Sequence, residues 1–135
     1  MATQAKTFDF AVSLDTGWNA TSDRGGPVLA REDMNVWTPE HLLLASLARC
    51  SLSSLRHHCR RAGIEAVSSA SARGTVTRRE SDGRFAFVEI TVEADVSLSP
   101  EPDEAAVGEL LGKAERDCFV GASLTAAPTY EWRVA

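Results

Sequence analysis

The sequence predicts an α+β domain with helices gathered on one face of an antiparallel sheet. Two observations predict it. Residues 38–63 form one long helical stretch with matching start and stop signals, and residues 7–14 and 85–98 alternate apolar and polar side chains with the two-residue period of strands. The remaining segments give the order βββ-α-ββ-α-β, read as a single domain over residues 1–135.

Thr7 to Leu14 places Phe8, Phe10, Val12 and Leu14 on one face and Asp9, Ala11 and Ser13 on the other, a half-buried strand. Asp15-Thr16-Gly17 is a turn, and Trp18 to Ser22 is the return strand of a hairpin. Asp23-Arg24-Gly25-Gly26-Pro27 is a second turn, Val28 to Arg31 a short third strand, and Glu32 to Trp37 an irregular lead-in.

The central helix follows. Thr38 can cap it by accepting from a free first-turn N–H, and Pro39 falls where a missing N–H costs nothing. Glu40 suits the positive end of the helix dipole, and Arg60 and Arg61 suit the negative end. Gly63 can stop the helix in a left-handed conformation. Leu42, Leu43, Leu44, Ala45, Leu47, Ala48, Cys50, Leu52 and Leu55 make its first half apolar almost all round, which predicts burial on more than one side.

Val67 to Arg79 reads as a strand, and Ser81-Asp82-Gly83 as a hairpin turn. In Phe85 to Leu98, the residues Ala86, Val88, Ile90, Val92, Ala94, Val96 and Leu98 form an apolar face; the other face is acidic beyond Phe85 and Phe87. A second helix spans Glu104 to Phe119, capped by Asp103 or Ser99, with Ala106, Val107, Leu110, Leu111, Ala114 and Cys118 at helical spacing. Tyr130 to Val134 is the last strand.

The chain has 135 residues and a formal net charge of −5. Acidity argues against a general nucleic-acid binder, which needs a basic face. No apolar run is long enough to span a bilayer, so no membrane partner is expected. MATQAKTFDF lacks the basic-then-apolar pattern of a leader, so the expected location is the cytoplasm. Three cysteines, Cys50, Cys59 and Cys118, do not suit a secreted disulfide scaffold.

Cys50 and Cys118 each lie on a predicted helix. If both helices pack on one sheet face, the thiols can meet; equally, both can be small core residues. Cys59 follows His57 and His58, but adjacent helix residues point about 100° apart and cannot all face one ion. The reading is therefore no metal site, with solvent-facing histidines at a helix C-terminus. Arg24 and Arg31 precede the helix and read, by themselves, as surface charge.

Pro39-Glu40, then Leu42-Leu43-Leu44-Ala45 and Ala48-Arg49-Cys50, resembles the Pro-Glu…Leu…Ala…Ala-x-Cys helix of the OsmC/Ohr family, the osmotically inducible and organic hydroperoxide resistance proteins. The segment Ala114 to Leu124 looks like the family's second cysteine segment. The resemblance implies an OsmC-like fold, an intertwined homodimer with sites at the subunit interface, and peroxide reduction without metal or haem. It implies that Cys50 is the peroxidatic thiol, Cys118 the resolving thiol, and Glu40 the carboxylate that orients an arginine. Arg31 is the first choice for that arginine and Arg24 the second.

The chemistry is consistent with those roles. A mid-helix thiol in apolar surroundings has its pKa raised and is inert unless a cation stabilises the thiolate. Arginine is always charged and binds a carboxylate through two hydrogen bonds. Ten helical residues rise about 15 Å, so either the arginine spans part of the gap between Glu40 and Cys50, or Glu40 serves a second subunit. The expected partners are a second copy, an organic hydroperoxide, and an external dithiol reductant of lipoyl or thioredoxin-like type. The alternative is a dimeric relative without peroxidase activity that binds a small apolar ligand or senses oxidation through Cys50.

Overall fold

The computed structural model describes residues 5–135; the start of the segment read for a leader, residues 1–4, lies outside the described residues. The chain falls into two compact units, one ending at His41 and the other running from Leu42 to Ala135.

In the first unit, β1 (Val12–Leu14) pairs antiparallel with β2 (Ala20–Ser22). The connecting turn is held by the Asp15 carboxylate, which accepts from the backbone N–H groups of Gly17 and Asn19. The strand expected over Thr7–Leu14 shortens to its last three residues, and Phe10, Val12 and Leu14 are exposed rather than half-buried. A two-stranded ribbon has no second layer to bury its apolar side. The third strand expected at Val28–Arg31 reduces to one bridge, Ala20 to Leu29. Asp33 turns the chain there by accepting from the Ala30 N–H, and the lead-in becomes a 3-10 helix at Arg31–Asn35.

The central helix α1 (Pro39–Arg61) has both expected ends. The His41 N–H donates to Thr38 Oγ1 at 3.2 Å. Gly63 sits at φ +73°, and the Ile64 N–H reaches back to the Cys59 carbonyl. Of α1, Leu47, Ser51, Leu55 and Cys59 are fully buried. They are four residues apart and form one inward stripe. Leu42, Leu43 and Leu44 are only half-buried in the single chain, so burial on a second side is not complete there.

The second sheet has the order β3-β4-β5, with β3 at Glu65–Arg78, β4 at Phe85–Ser99 and β5 at Thr129–Val134. β3 and β4 form the expected antiparallel hairpin, but β5 runs parallel to β4 and makes the sheet mixed. Parallel neighbours need a long crossover, and the helical segment between β4 and β5 supplies it. Ile90, Val92, Ala94, Val96 and Leu98 point from β4 into two clusters, one with Leu55, Cys59, Leu110 and Ala114, the other with Leu47 and Cys118. The helices thus share one face of the sheet. Each fully buried leucine, isoleucine or valine in these clusters stabilises the fold by about 1.5–3 kcal/mol.

The alternation in β4 breaks at Val88. Thr75 pairs with Glu89 and Val76 with Phe87, which leaves Val88 as a bulge. The parity flips there, so Val88 is exposed and Phe87 packs on the core side, the reverse of the expectation from periodicity. Gly74 makes room for that ring, since a Cβ on it would lie 2.7 Å from the Phe87 ring.

The second predicted helix is also divided. It runs as α2 (Glu104–Arg116), breaks at Asp117 and Cys118, and resumes as the short α3 (Phe119–Ala122). Asp103, not Ser99, caps α2 by accepting from the Ala106 N–H at 2.8 Å. Asp117 is the C-cap of α2, and its carboxylate is bound by Arg116 and by His58 of α1. Cys118 is therefore not a helix-interior residue.

Candidate active site

Cys118 has extended backbone dihedrals, and its side chain is fully buried at the start of α3, where its sulfur accepts from the Gly121 N–H at 3.4 Å. Gly121 lies against both Cys118 and Tyr130: a Cβ on it would be in van der Waals contact, at 3.4 Å, with Cys118 Sγ and the Tyr130 hydroxyl. Cys50, beside the inward stripe of α1, is only half-buried and packs against the cluster that holds Cys118. Cys118 is near enough to Cys50 to bear on its ionisation. All three cysteines are free thiols.

Burial pushes the Cys50 thiol up from its usual pKa. The backbone N–H groups of Val120 and Phe119 act in the opposite direction and favour the thiolate, whereas the neighbouring Cys118 adds to the rise. Cys59 is fully buried in the other cluster, and burial raises its thiol as well; it is an inert core residue.

Two residues join this site that sequence reasoning did not single out. Ser51 Oγ lies 3.6 Å from Cys118 Sγ and 3.0 Å from the Tyr130 hydroxyl. Burial pushes the Tyr130 phenol up to about 12, so it stays protonated. Tyr130 stacks on Trp132, two residues along β5, and the Trp132 indole N–H donates to Glu115 of α2. Their signals in the sequence were faint: a serine directly after the candidate cysteine in an apolar helix, and the chain's single tyrosine at a strand's inward position.

His58 is not solvent-facing, as its place in the sequence suggested. Its Nε2 lies 2.8 Å from Asp117 Oδ2, and the side chain is only 14% exposed. Among the described residues no group of three His, Cys, Asp or Glu side chains is arranged to hold a metal ion. Arg31 lies over the Trp18 ring at 5.1 Å and Arg24 over the Phe10 ring at 5.1 Å. Glu40 is exposed in the first turn of α1.

Residues 32–133 match the family model described as OsmC-like protein. The chain belongs to that family. The matched stretch takes in Glu40, Cys50 and Cys118 and begins one residue after Arg31. No curated protein matches this OsmC-like chain in sequence. Solved structures are similar to it in fold. The organic hydroperoxide resistance protein OhrB of Bacillus subtilis is 21% identical with a TM-score of 0.57, over 96% of this chain and 98% of that one. An OsmC-like protein of unknown function from Vibrio cholerae is 14% identical with a TM-score of 0.73, over 95% and 99%. An organic hydroperoxide resistance protein from Elizabethkingia anophelis is 19% identical with a TM-score of 0.68, over 98% and 99%. This OsmC-like chain has no described helix that is long and apolar enough to cross a membrane.

Proposed function

We propose that this OsmC-like protein is a thiol-dependent peroxidase that reduces organic hydroperoxides. The observation that carries the proposal is the meeting of a half-buried Cys50 with a buried Cys118 inside an apolar cluster. The Bacillus subtilis and Elizabethkingia anophelis neighbours both bear the name organic hydroperoxide resistance protein, which agrees with this reading.

The Cys50 thiolate attacks the distal peroxide oxygen, the O–O bond breaks, and an alcohol leaves after taking a proton. Cys50 becomes a sulfenic acid. The Cys118 sulfur then attacks the Cys50 sulfur, the S–O bond breaks, and water leaves. An external dithiol reduces the resulting disulfide by exchange. Burial raises the Cys50 thiol, so the first step needs a cation beyond the two backbone N–H groups. Arg31, oriented by Glu40, is assigned that role, with Arg24 as second choice. Leu44, Leu47 and Phe87 give the site an apolar lining that suits organic peroxides better than hydrogen peroxide.

A second copy of the chain is part of the proposal. The half-buried Leu42–Leu44 stretch, the exposed Val12 and Leu14, and a cavity of about 950 Å³ between α1 and β3 support it as surface for a partner to cover. The test is consumption of cumene hydroperoxide with dithiothreitol as reductant. The native protein turns over and Cys50→Ser does not; equal inactivity of both would favour a non-catalytic ligand-binding or oxidation-sensing protein.

A further inference from the structure

The hydrogen-bond directions around Ser51 carry a further step. Ser51 is fully buried, and its hydroxyl has one proton. The Leu47 carbonyl, 2.8 Å away, can only accept, so that proton points there. The other two contacts of Ser51 Oγ must then meet its lone pairs. Tyr130 donates its O–H at 3.0 Å, and Cys118 donates its weaker S–H at 3.6 Å. At rest, the hydroxyl nearest Cys118 is thus an acceptor.

We propose that Ser51 is a catalytic residue for the second half of the cycle, a rotating hydroxyl that holds Cys118 as a thiol at rest and as a thiolate during attack, with Tyr130 as its positioning residue. The proposal rests on the peroxidase reading above. When Cys50 carries a sulfenic acid, the Ser51 O–H swings from Leu47 to the Cys118 sulfur. Leu47 keeps its helical bond from the Ser51 N–H, so no carbonyl is orphaned. The S–S bond forms, the Cys50 S–O bond breaks, and the Cys118 proton leaves with the hydroxide as water. Cys118 is oxidised and the Cys50 sulfenic sulfur is reduced.

The local geometry suits this task. The Gly121 N–H already donates to the sulfur, and a charge-assisted bond from Ser51 adds a second donor to the thiolate. Tyr130 donates into Ser51 Oγ throughout, because its phenol stays protonated at every working pH. The ionisable groups around Cys118 include Cys50 of α1, Tyr130 of β5, the adjacent Asp117 with its partners His58 and Arg116, and Glu115 on the side of Tyr130.

The experiment is single-turnover oxidation of the reduced protein by cumene hydroperoxide across pH 5–10. Cys50 sulfenic acid is followed by dimedone trapping, and the Cys50–Cys118 disulfide by mass spectrometry after rapid alkylation. Ser51→Ala and Tyr130→Phe are compared with the native chain, with folding checked by circular dichroism. Tyr130→Phe keeps the ring that stacks on Trp132. Expected for Ser51→Ala is about tenfold slower disulfide formation, the loss of one charge-assisted hydrogen bond, with a smaller change in the first oxidation. Its pH midpoint should move upward and trapped sulfenic acid should accumulate; Tyr130→Phe should shift both in the same direction by less. Native-like disulfide rates and midpoints in both folded variants overturn the role of Ser51. A native protein that forms no Cys50–Cys118 disulfide overturns the peroxidase reading, and the relay with it.

Discussion

Ser51 Oγ lies 3.6 Å from Cys118 Sγ although 67 positions separate them in the chain. Ser51 follows Cys50 directly, so one turn of α1 brings a hydroxyl to the Cys118 sulfur and a thiol to the cluster that holds it. The contact depends on α2 ending early. Were residues 117 and 118 helical, as periodicity suggests, Cys118 would lie on the helix flank and not in the turn that opens α3.

The roles of the two thiols separate in a Cys118→Ser variant. It should consume about one equivalent of cumene hydroperoxide per site rapidly, then turn over slowly as dithiothreitol attacks the sulfenic acid directly. Dimedone labelling of Cys50 should rise relative to the native protein. Steady-state turnover equal to native would remove Cys118 from the cycle.

The choice of arginine is open to direct measurement. Arg31→Met should lower kcat/KM with cumene hydroperoxide by at least a hundredfold, through loss of the cation that offsets the burial of Cys50. Arg24→Met should cost less than tenfold, and Glu40→Gln should fall between them. The reverse order of the two arginines would reassign the cation to Arg24.

Gly74→Ala tests the bulge. The new Cβ meets the Phe87 ring at 2.7 Å and the Glu89 carbonyl oxygen at 3.2 Å. Overpacking of this kind costs about 1–3 kcal/mol, read from urea unfolding. Phe87→Leu in the same chain should recover part of the loss. A stability unchanged within error would mean that Phe87 turns away without cost.

Asp117 gives a pH dependence. Its bonds to Arg116, and then to His58, hold the carboxyl down at about 2 from its ordinary 3.8. A depressed folded-state pKa contributes stability that is fully present above about 4 and lost as pH falls toward about 2. Asp117→Asn should therefore be slightly less stable than native at neutral pH, and the two should converge only below about pH 2. A constant difference across the acid range would contradict the linkage.

The parts of the molecule that were legible in the sequence are those set by neighbours along the chain. Thr38, Pro39 and Gly63 marked α1 almost to the residue, and Asp82-Gly83 marked the β3–β4 turn, because caps and turns are satisfied within a few residues. The apolar face of β4 was legible from Ile90 onward. It was misread at Phe87 and Val88, because a bulge is decided by the partner strand and by the space at Gly74. Periodicity carried the second helix through Cys118, although the chain leaves the helix at Asp117, which meets His58 of the distant α1.

By itself the sequence determined the α+β class, the central helix and the family resemblance carried by Glu40, Cys50 and the second cysteine segment. Those depend on local periodicity, capping and spacing, which short-range physics specifies. Only the tertiary structure decided that Cys59 is a core residue, that β5 runs parallel to β4, and that Ser51 and Tyr130 gather around Cys118. Those depend on which distant surfaces bury one another, and burial between distant segments leaves no local mark on the chain.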